Sequence, residues 1–528
     1  MQFASLTFLL FIAAVLVIYF SVRNNQWIVL LAASCLFIII NSGLLILIFL
    51  FQALTTFYTA KIIFARKAAA EQLAKSDGLD RTARNEIKAN GKKEQKRYLT
   101  LGIVVVLGIL VLLKYSGSAL DHVNRVISAT GFQFPQFRFL LPIGISFYTL
   151  QAIAYMVDVN RGKIEPADNL WKFLLFMSYF PQIVQGPIPR YKDLYHQLVA
   201  PHRFNSDNCW RGSQLIIWGL MKKLIIADRI AIPVTWIFDN ASDYSGLMVF
   251  FAAACYGIQV YTDFSGGMDI ARGFSEMIGI ELTLNFRQPY FSGSIEEFWR
   301  RWHISLGAFM RDYVFYPLSL SKAFSKVGRV TRKYLGNEVG KKVPSFIAMF
   351  IVYFLVGLWH GASMKYVIYG VWNGVFIASG ILLADNYVKM KKTFRIDDSQ
   401  FSWKLFQRIR TFIIVSMGRV FPRALDTGTA LKMFGSMFTS RIDFAFMFDG
   451  TLRKLGLNTA NWILLLAAIV ILLLVDILHE RGIAIRETIE KQGVMFQIIL
   501  ISFAIVAIII FGMYGPGYDS KVFIYQQF

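Results

Sequence analysis

FIAMFIVYFLVGLWHGAS, residues 346–363, places fourteen apolar or small side chains in a row, then His360, then Gly361, Ala362 and Ser363. A run apolar on every face has no water-facing side, so it belongs in lipid or in a deep core. Working outward, comparable spans are read at Phe8–Val22, Leu44–Thr59, Leu99–Tyr115, Leu140–Val157, Leu170–Val184, Gln214–Ala227 and Leu247–Tyr261. Beyond the quoted stretch come Tyr366–Leu383, Phe412–Val420, Trp462–Leu478 and Phe496–Met513. Trp27–Ile40 is a further, shorter apolar helix. Of 528 residues, 56% are hydrophobic and 16% aromatic, and mean hydropathy is +0.50. The expected class is an all-α polytopic membrane protein, with about 11–13 transmembrane or re-entrant helices around a central funnel.

The net charge of +22 does not mark a nucleic-acid binder, because of where the charge lies. Segment 61–97 has eleven Lys/Arg against five Asp/Glu, 322–342 seven against one, and 389–410 seven against two. Basic clusters between apolar spans are the pattern of cytoplasmic loops, which also meet anionic lipid headgroups. No nucleic-acid recognition motif accompanies them. Parity agrees: with 61–97 inside, the loops 322–342 and 389–410 also fall inside, and the last span delivers 515–528 outside. Crossings within 185–321 stay unassigned. Met1–Val22 has no basic start and no small-residue cleavage site, so it reads as a first span. The three cysteines, Cys35, Cys209 and Cys255, lie far apart and imply neither disulfide framework nor zinc site. The chain is read as one membrane-embedded domain, with 61–97 a cytoplasmic helical excursion, 138–385 the core and 515–528 an extracellular tail.

Six histidines occur, two of them in unusual surroundings. An imidazole deep in an apolar helix bears a desolvation cost. At His360 that cost is met either by bonding between helices or by chemistry. His303 lies in EEFWRRWHISL, residues 296–306, too dense in charge and aromatics to face lipid; an amphipathic surface helix is the alternative. No HxxxH or HxH spacing supports a metal. Three other stretches stand out. FPQIVQGPIPRY, residues 180–191, reads as a bent segment, and QVYTDFSGGMD, residues 259–269, as a break in a helix. NFRQPY, residues 285–290, leads into the His303 stretch. Asp263 and Asp269 are either a proton relay or ion pairs, with Arg272 and Arg287 the expected partners. Asp312 with Arg311 reads as a charge pair at a helix end.

Together with GLWHGA at 357–362, these stretches resemble the membrane-bound O-acyltransferase family, strongly over 140–380. FWRRWHISLGAFMRDYVFYPL at 298–318 is the most distinctive, and the branch resembled is that of bacterial exopolysaccharide and cell-wall acylases. The resemblance implies acyl transfer with His360 as general base and His303 orienting a reactant or polarising a carbonyl. Trp302, Trp359, Arg301 and Asp263 would shape the pocket. A hydroxyl is a weak nucleophile, and an imidazole of pKa near ~6.5 can take its proton during attack on a thioester. The implied donor is an acyl-coenzyme A or acyl-carrier-protein thioester, with no tightly bound cofactor. The implied partners are a polysaccharide acceptor, membrane lipid and an extracellular SGNH-type transferase, in the bacterial cytoplasmic membrane. The ending FIYQQF, residues 523–528, is similar to tails in which a tyrosine, here Tyr525, relays the acyl group; an interfacial aromatic anchor is the alternative. Asn373-Gly374 departs from the His-Gly of many relatives. Other functions open at this point are D-alanyl transfer to teichoic acid, polymer export without acyl transfer, and lysophospholipid acylation.

Overall fold

The computed structural model describes residues 1, 3–128, 133–135 and 139–514. Helices dominate them, and the β element found there is the antiparallel bridge Phe286–Trp302. Among the described residues seven helical runs are long and apolar enough to cross a membrane: Gln26–Leu73, Arg81–Ile127, Leu247–Met277, Val343–His360, Met364–Thr393, Thr459–Glu480 and Val494–Phe511. The protein is therefore helical and multi-pass, the class expected. Gln26–Leu73 holds two helices joined at Gly43–Leu45, which brings the short Trp27–Ile40 segment into a longer run.

The chain divides into two compact units, Met1–Gly212 with Ala271–Thr283, and Ser213–Ile270 with Leu284–Phe528. In the first, the basic segment 61–97 is helical, being the ends of Ile46–Leu73 and Arg81–Ile127. Asp80 caps the second by accepting from the Ala83 amide at 2.7 Å. Gly91 lets the two helices touch, since a Cβ there would stand 2.3 Å from the Ala70 Cβ. The Leu170–Val184 span is interrupted: Leu170–Ser178 ends at Tyr179, and a new turn starts at Phe180. Pro181 has no N–H for the Met177 carbonyl and its ring would strike that carbonyl, so the helix cannot run through. The bend expected of 180–191 is thus present, in a buried setting with Gln182 and Gln185.

In the second unit, 259–269 is not a helix break. Leu247–Met277 runs through it as one helix of 31 residues. The two features read as breakers have other uses. Gly266 and Gly219 bring two helices together, a Cβ at Gly219 standing 2.5 Å from the Gly266 carbonyl oxygen. The carboxylates pair with lysines that were not among the expected partners: Lys223 Nζ lies 2.6 Å from Asp263 and 2.9 Å from Asp228, and Lys222 Nζ lies 2.6 Å from Asp269. Both lysines come from Met221–Ala227, a π-helical segment continuing Ser206–Leu220. Val343–His360, Met364–Thr393, Thr459–Glu480 and Val494–Phe511 overlie expected spans, whereas Asp228–Asp239 and Thr427–Thr439 had none. Phe401–Gly418 starts eleven residues before the expected Phe412 and turns at Arg419 into the short Val420–Arg423.

Candidate functional site

The site grows from a short helix, Ile295–Arg301. Ser294 caps it, accepting from the Glu297 amide at 3.1 Å, while the Glu297 carboxylate accepts from the Gly293 amide at 2.9 Å. Arg301 ends the helix with its guanidinium gripped by Glu480 at 2.6 and 3.1 Å and by Glu297 at 2.7 Å. Its carbonyl accepts from the Arg287 amide at 2.9 Å, which lays Trp302 beside Phe286. Arg419 lies over the Trp302 ring, 4.7 Å from its centroid.

His303 comes next, with φ 47° and ψ 54°, in the left-handed region that a non-glycine residue adopts only when its surroundings hold it there. Asn285 is what holds it. The Ile304 amide donates to the Asn285 carbonyl at 3.0 Å, and the Ser305 amide donates to Asn285 Oδ1 at 2.8 Å. A backbone N–H can only donate, so the second bond fixes which end of the side-chain amide is oxygen. Nδ2 then faces His303 Nδ1 at 3.2 Å and donates to it. Nδ1 accepts, and the neutral ring carries its hydrogen on Nε2. The ring is 1% exposed, with Phe264 edge-on at 4.9 Å. Burial first, and the nearby His360 second, push its pKa down to about 3, so the ring stays neutral throughout the ordinary pH range.

His360 is the last residue of Val343–His360 and 8% exposed. This helix and Met364–Thr393 form a tight hairpin, because Gly357 and Gly370 meet where neither has room for a side chain; a Cβ on either would stand 2.9 Å from the other's Cα. Gly361 makes the turn beneath the Tyr366 ring, 2.5 Å from a Cβ built there. The Trp359 ring centroid lies 6.2 Å from that of His303 and 4.9 Å from that of His360, and His360 also has the Tyr369 ring at 6.2 Å.

A cavity of about 470 Å³ opens onto His303. Trp299, Met349, Val352, Tyr353, Val356 and Ile377 give it apolar walls, while Glu296, Arg300 and Arg311 contribute charge. His360 and Trp359 are not among its lining residues. Asn373 braces the wall, accepting from Trp299 Nε1 at 3.1 Å and donating to the Tyr369 carbonyl at 2.8 Å. Asn373 is therefore a hydrogen-bonding strut.

The structure thus brings His303, His360, Trp302 and Trp359 together and puts Arg301 behind them as a brace. Asp263 reaches this cluster only through the next residue, Phe264, and its own carboxylate belongs to the Lys223 pair. Arg311 and Asp312 pair at 2.9 Å as expected. Tyr525 lies outside the described residues. Asn285, Phe264, Tyr369 and Arg419 were not foreseen as site residues. Asn285 had been noted only as part of NFRQPY, and a contact across eighteen positions obeys no helical or strand spacing. In Asn285→Asp, the carboxylate can only accept, so the ring must turn its hydrogen to Nδ1 and present a bare Nε2. Any reaction that needs a hydrogen-bond donor at Nε2 is then expected to slow by about 10²-fold.

Comparison with known proteins bears on this geometry. The membrane-bound O-acyltransferase family (MBOAT) matches residues 35–331, which include Asn285 and His303 and stop short of His360. The chain is 35% identical over 348 residues to a probable alginate O-acetylase of Pseudomonas syringae pv. tomato, covering 66% of this chain and 61% of that one. It is 29% identical over 374 residues to a peptidoglycan O-acetyltransferase of Helicobacter pylori, covering 65% of each. To a teichoic acid D-alanyltransferase of Bacillus subtilis it is 30% identical over 241 residues, 44% of this chain and 58% of that one. The chain spans about six tenths of the length of the curated relatives it matches. With the family matched over more than half of its residues, the chain belongs to the membrane-bound O-acyltransferases.

Proposed function

We propose that the protein is an O-acyltransferase that moves an acyl group, acetyl in the first instance, from a thioester donor to a hydroxyl of a cell-surface polymer. Three of the relatives just described carry names that point to alginate, peptidoglycan and teichoic acid as acceptors. The observation that carries the reading is the gathering of the two imidazoles around Trp359, one of them facing a cavity. The thioester enters by the His303 cavity, and Nε2–H of His303 donates to its carbonyl oxygen, where negative charge grows during attack. The hydroxyl arrives on the His360 side. His360 takes its proton as the C–O bond forms, then returns it to sulfur as the C–S bond breaks, leaving an ester and a free thiol. No proton is gained or lost overall.

The donor side is the cytoplasmic face of the bacterial inner membrane, where the basic clusters 61–97, 322–342 and 389–410 would lie. His360 lies eighteen residues beyond 322–342, roughly 27 Å at helical rise, toward the opposite face. The donor is a coenzyme A or carrier-protein thioester, and an extracellular SGNH-type transferase receives the group, with Tyr525 a candidate relay. The test is transfer by purified protein in vesicles. His303→Ala is expected to lose about 10²–10³-fold, and His303→Gln to recover part of the loss, since its amide N–H can donate in the same direction. An alanine variant as fast as the parent removes the carbonyl-polarising role.

A further inference from the structure

The helix that starts at Lys322 runs to Leu335; at Gly336, φ 76°, the chain folds back and lays Gly340 against Thr331 and Arg332, and the stretch before that turn has three faces with different duties. Phe324, Val327, Gly328 and Thr331 are buried or half-buried and face the protein. Gly328 sits against Pro344, with a Cβ there 3.2 Å from the ring, and Thr331 Oγ1 donates to the Gly340 carbonyl at 2.7 Å. Opposite them, Lys322, Lys326, Arg329 and Lys333 recur at i, i+4, i+7 and i+11, which at about 100° per residue forms one exposed stripe. Beside the stripe, large apolar side chains stand in the open: Val330 is 47% exposed and Tyr334 75%. Leu320, just before the helix, is 79% exposed. Val343–His360, a run long and apolar enough to cross the bilayer, starts three residues after Gly340. The stripe therefore sits at the level where such a span leaves the hydrocarbon.

A merely solvated helix end has no use for Val330 and Tyr334 in water. Cationic and apolar stripes side by side are the composition of a helix lying in the headgroup layer. We propose that the helix over 322–335 is an interfacial foot that binds anionic phospholipid headgroups through Lys322, Lys326, Arg329 and Lys333, with Val330 and Tyr334 entering the boundary of the acyl chains. A soluble acidic protein would match the charge, but it would leave unexplained the apolar flank and the position beside a span. The foot packs on the helix that carries Met349, Val352 and Val356 of the His303 cavity wall, so it anchors that wall to the leaflet. It stands whether or not the acyl-transfer reading does.

The test is hydrogen exchange of the full chain in nanodiscs of phosphatidylcholine alone or mixed with phosphatidylglycerol. Each basic residue beside an anionic surface is worth about a fivefold shift in binding. Amides of 322–335 are expected to exchange at least about fivefold more slowly in the anionic discs. The difference should vanish in ~1 M salt, where the screening length is about 3 Å. It should also vanish in K322Q/K326Q/R329Q/K333Q, whose unchanged exchange over Val343–His360 shows that the hairpin is intact. Equal rates in both lipids overturn the proposal. So does a slowing that survives the four substitutions, or protection brought only by a soluble acidic protein.

Discussion

His360→Ala is expected to lower acyl transfer by about 10²–10⁴-fold, the range for removal of a positioned general base. The histidine is the last residue of its helix, and its ring neighbours are Trp359 and Tyr369, so the Gly357–Gly370 contact that forms the hairpin is untouched. Thermal stability should change little. Because His360 does not line the cavity, donor binding should also persist, and the loss should fall on kcat and not on the donor KM. The measurement is single-turnover transfer from a labelled thioester in vesicles, paired with a binding assay for the donor. A variant that still transfers within about threefold of the parent rate would show that the base is another group. The opposite pattern, donor binding lost and kcat kept, would put His360 in recognition instead of chemistry.

The largest effect on folding is expected at Lys223. Its ammonium is 5% exposed and faces two carboxylates, Asp263 at 2% and Asp228 at 5%. Lys223→Met leaves both buried acids without that cation, and breaking a buried pair in this way costs about 3–5 kcal/mol. A shortened lifetime in detergent and a lower midpoint in denaturant titration would report it. The triple variant Lys223→Met, Asp228→Asn, Asp263→Asn removes charge from both sides and should regain most of the loss, since a neutral cluster has no uncompensated ion. If the single variant is as stable as the parent, the triad is not holding the fold. Activity should follow stability in the single variant, because Phe264, which meets the His303 ring, is the residue next to Asp263.

Much of the architecture was legible because membrane helices announce themselves by length and apolarity alone. The stretch ending in His360 and the long helix Thr459–Glu480 were read within a few residues of their ends. What escaped was set by pairing, not by local pattern. Residues 259–269 look like a breaker, with two aspartates and two glycines, until Lys222 and Lys223 neutralise the acids and Gly219 meets Gly266. Those adjacent lysines inside WGLMKKLIIA were the missed signal, since cations in an apolar helix require partners. Arginines were expected in their place because they lay close in sequence, which says little across a helical bundle. At the site, the two histidines stood out by their setting, and Trp302 and Trp359 only through the family resemblance. Asn285 was not, because its effect is to hold one turn in an unusual conformation and to choose which nitrogen carries a hydrogen.

The π-helical segment Met221–Ala227 has a consequence for how this chain tolerates change in length. Where hydrogen bonding returns from i+5 to i+4, the Asp228 amide donates to the Lys223 carbonyl, and the Leu224 carbonyl is passed over. The Met513 amide fills it at 3.0 Å, and Arg229 reaches the Phe511 carbonyl at 2.8 Å, so the end of the final span is moored there. Removing one residue from the segment would restore ordinary winding and swing both lysines by about 100° away from their carboxylates. It would also withdraw the mooring point of the last span. Two distant tasks, neutralising buried acids and docking the final helix, share a single surplus residue and would be lost in one step.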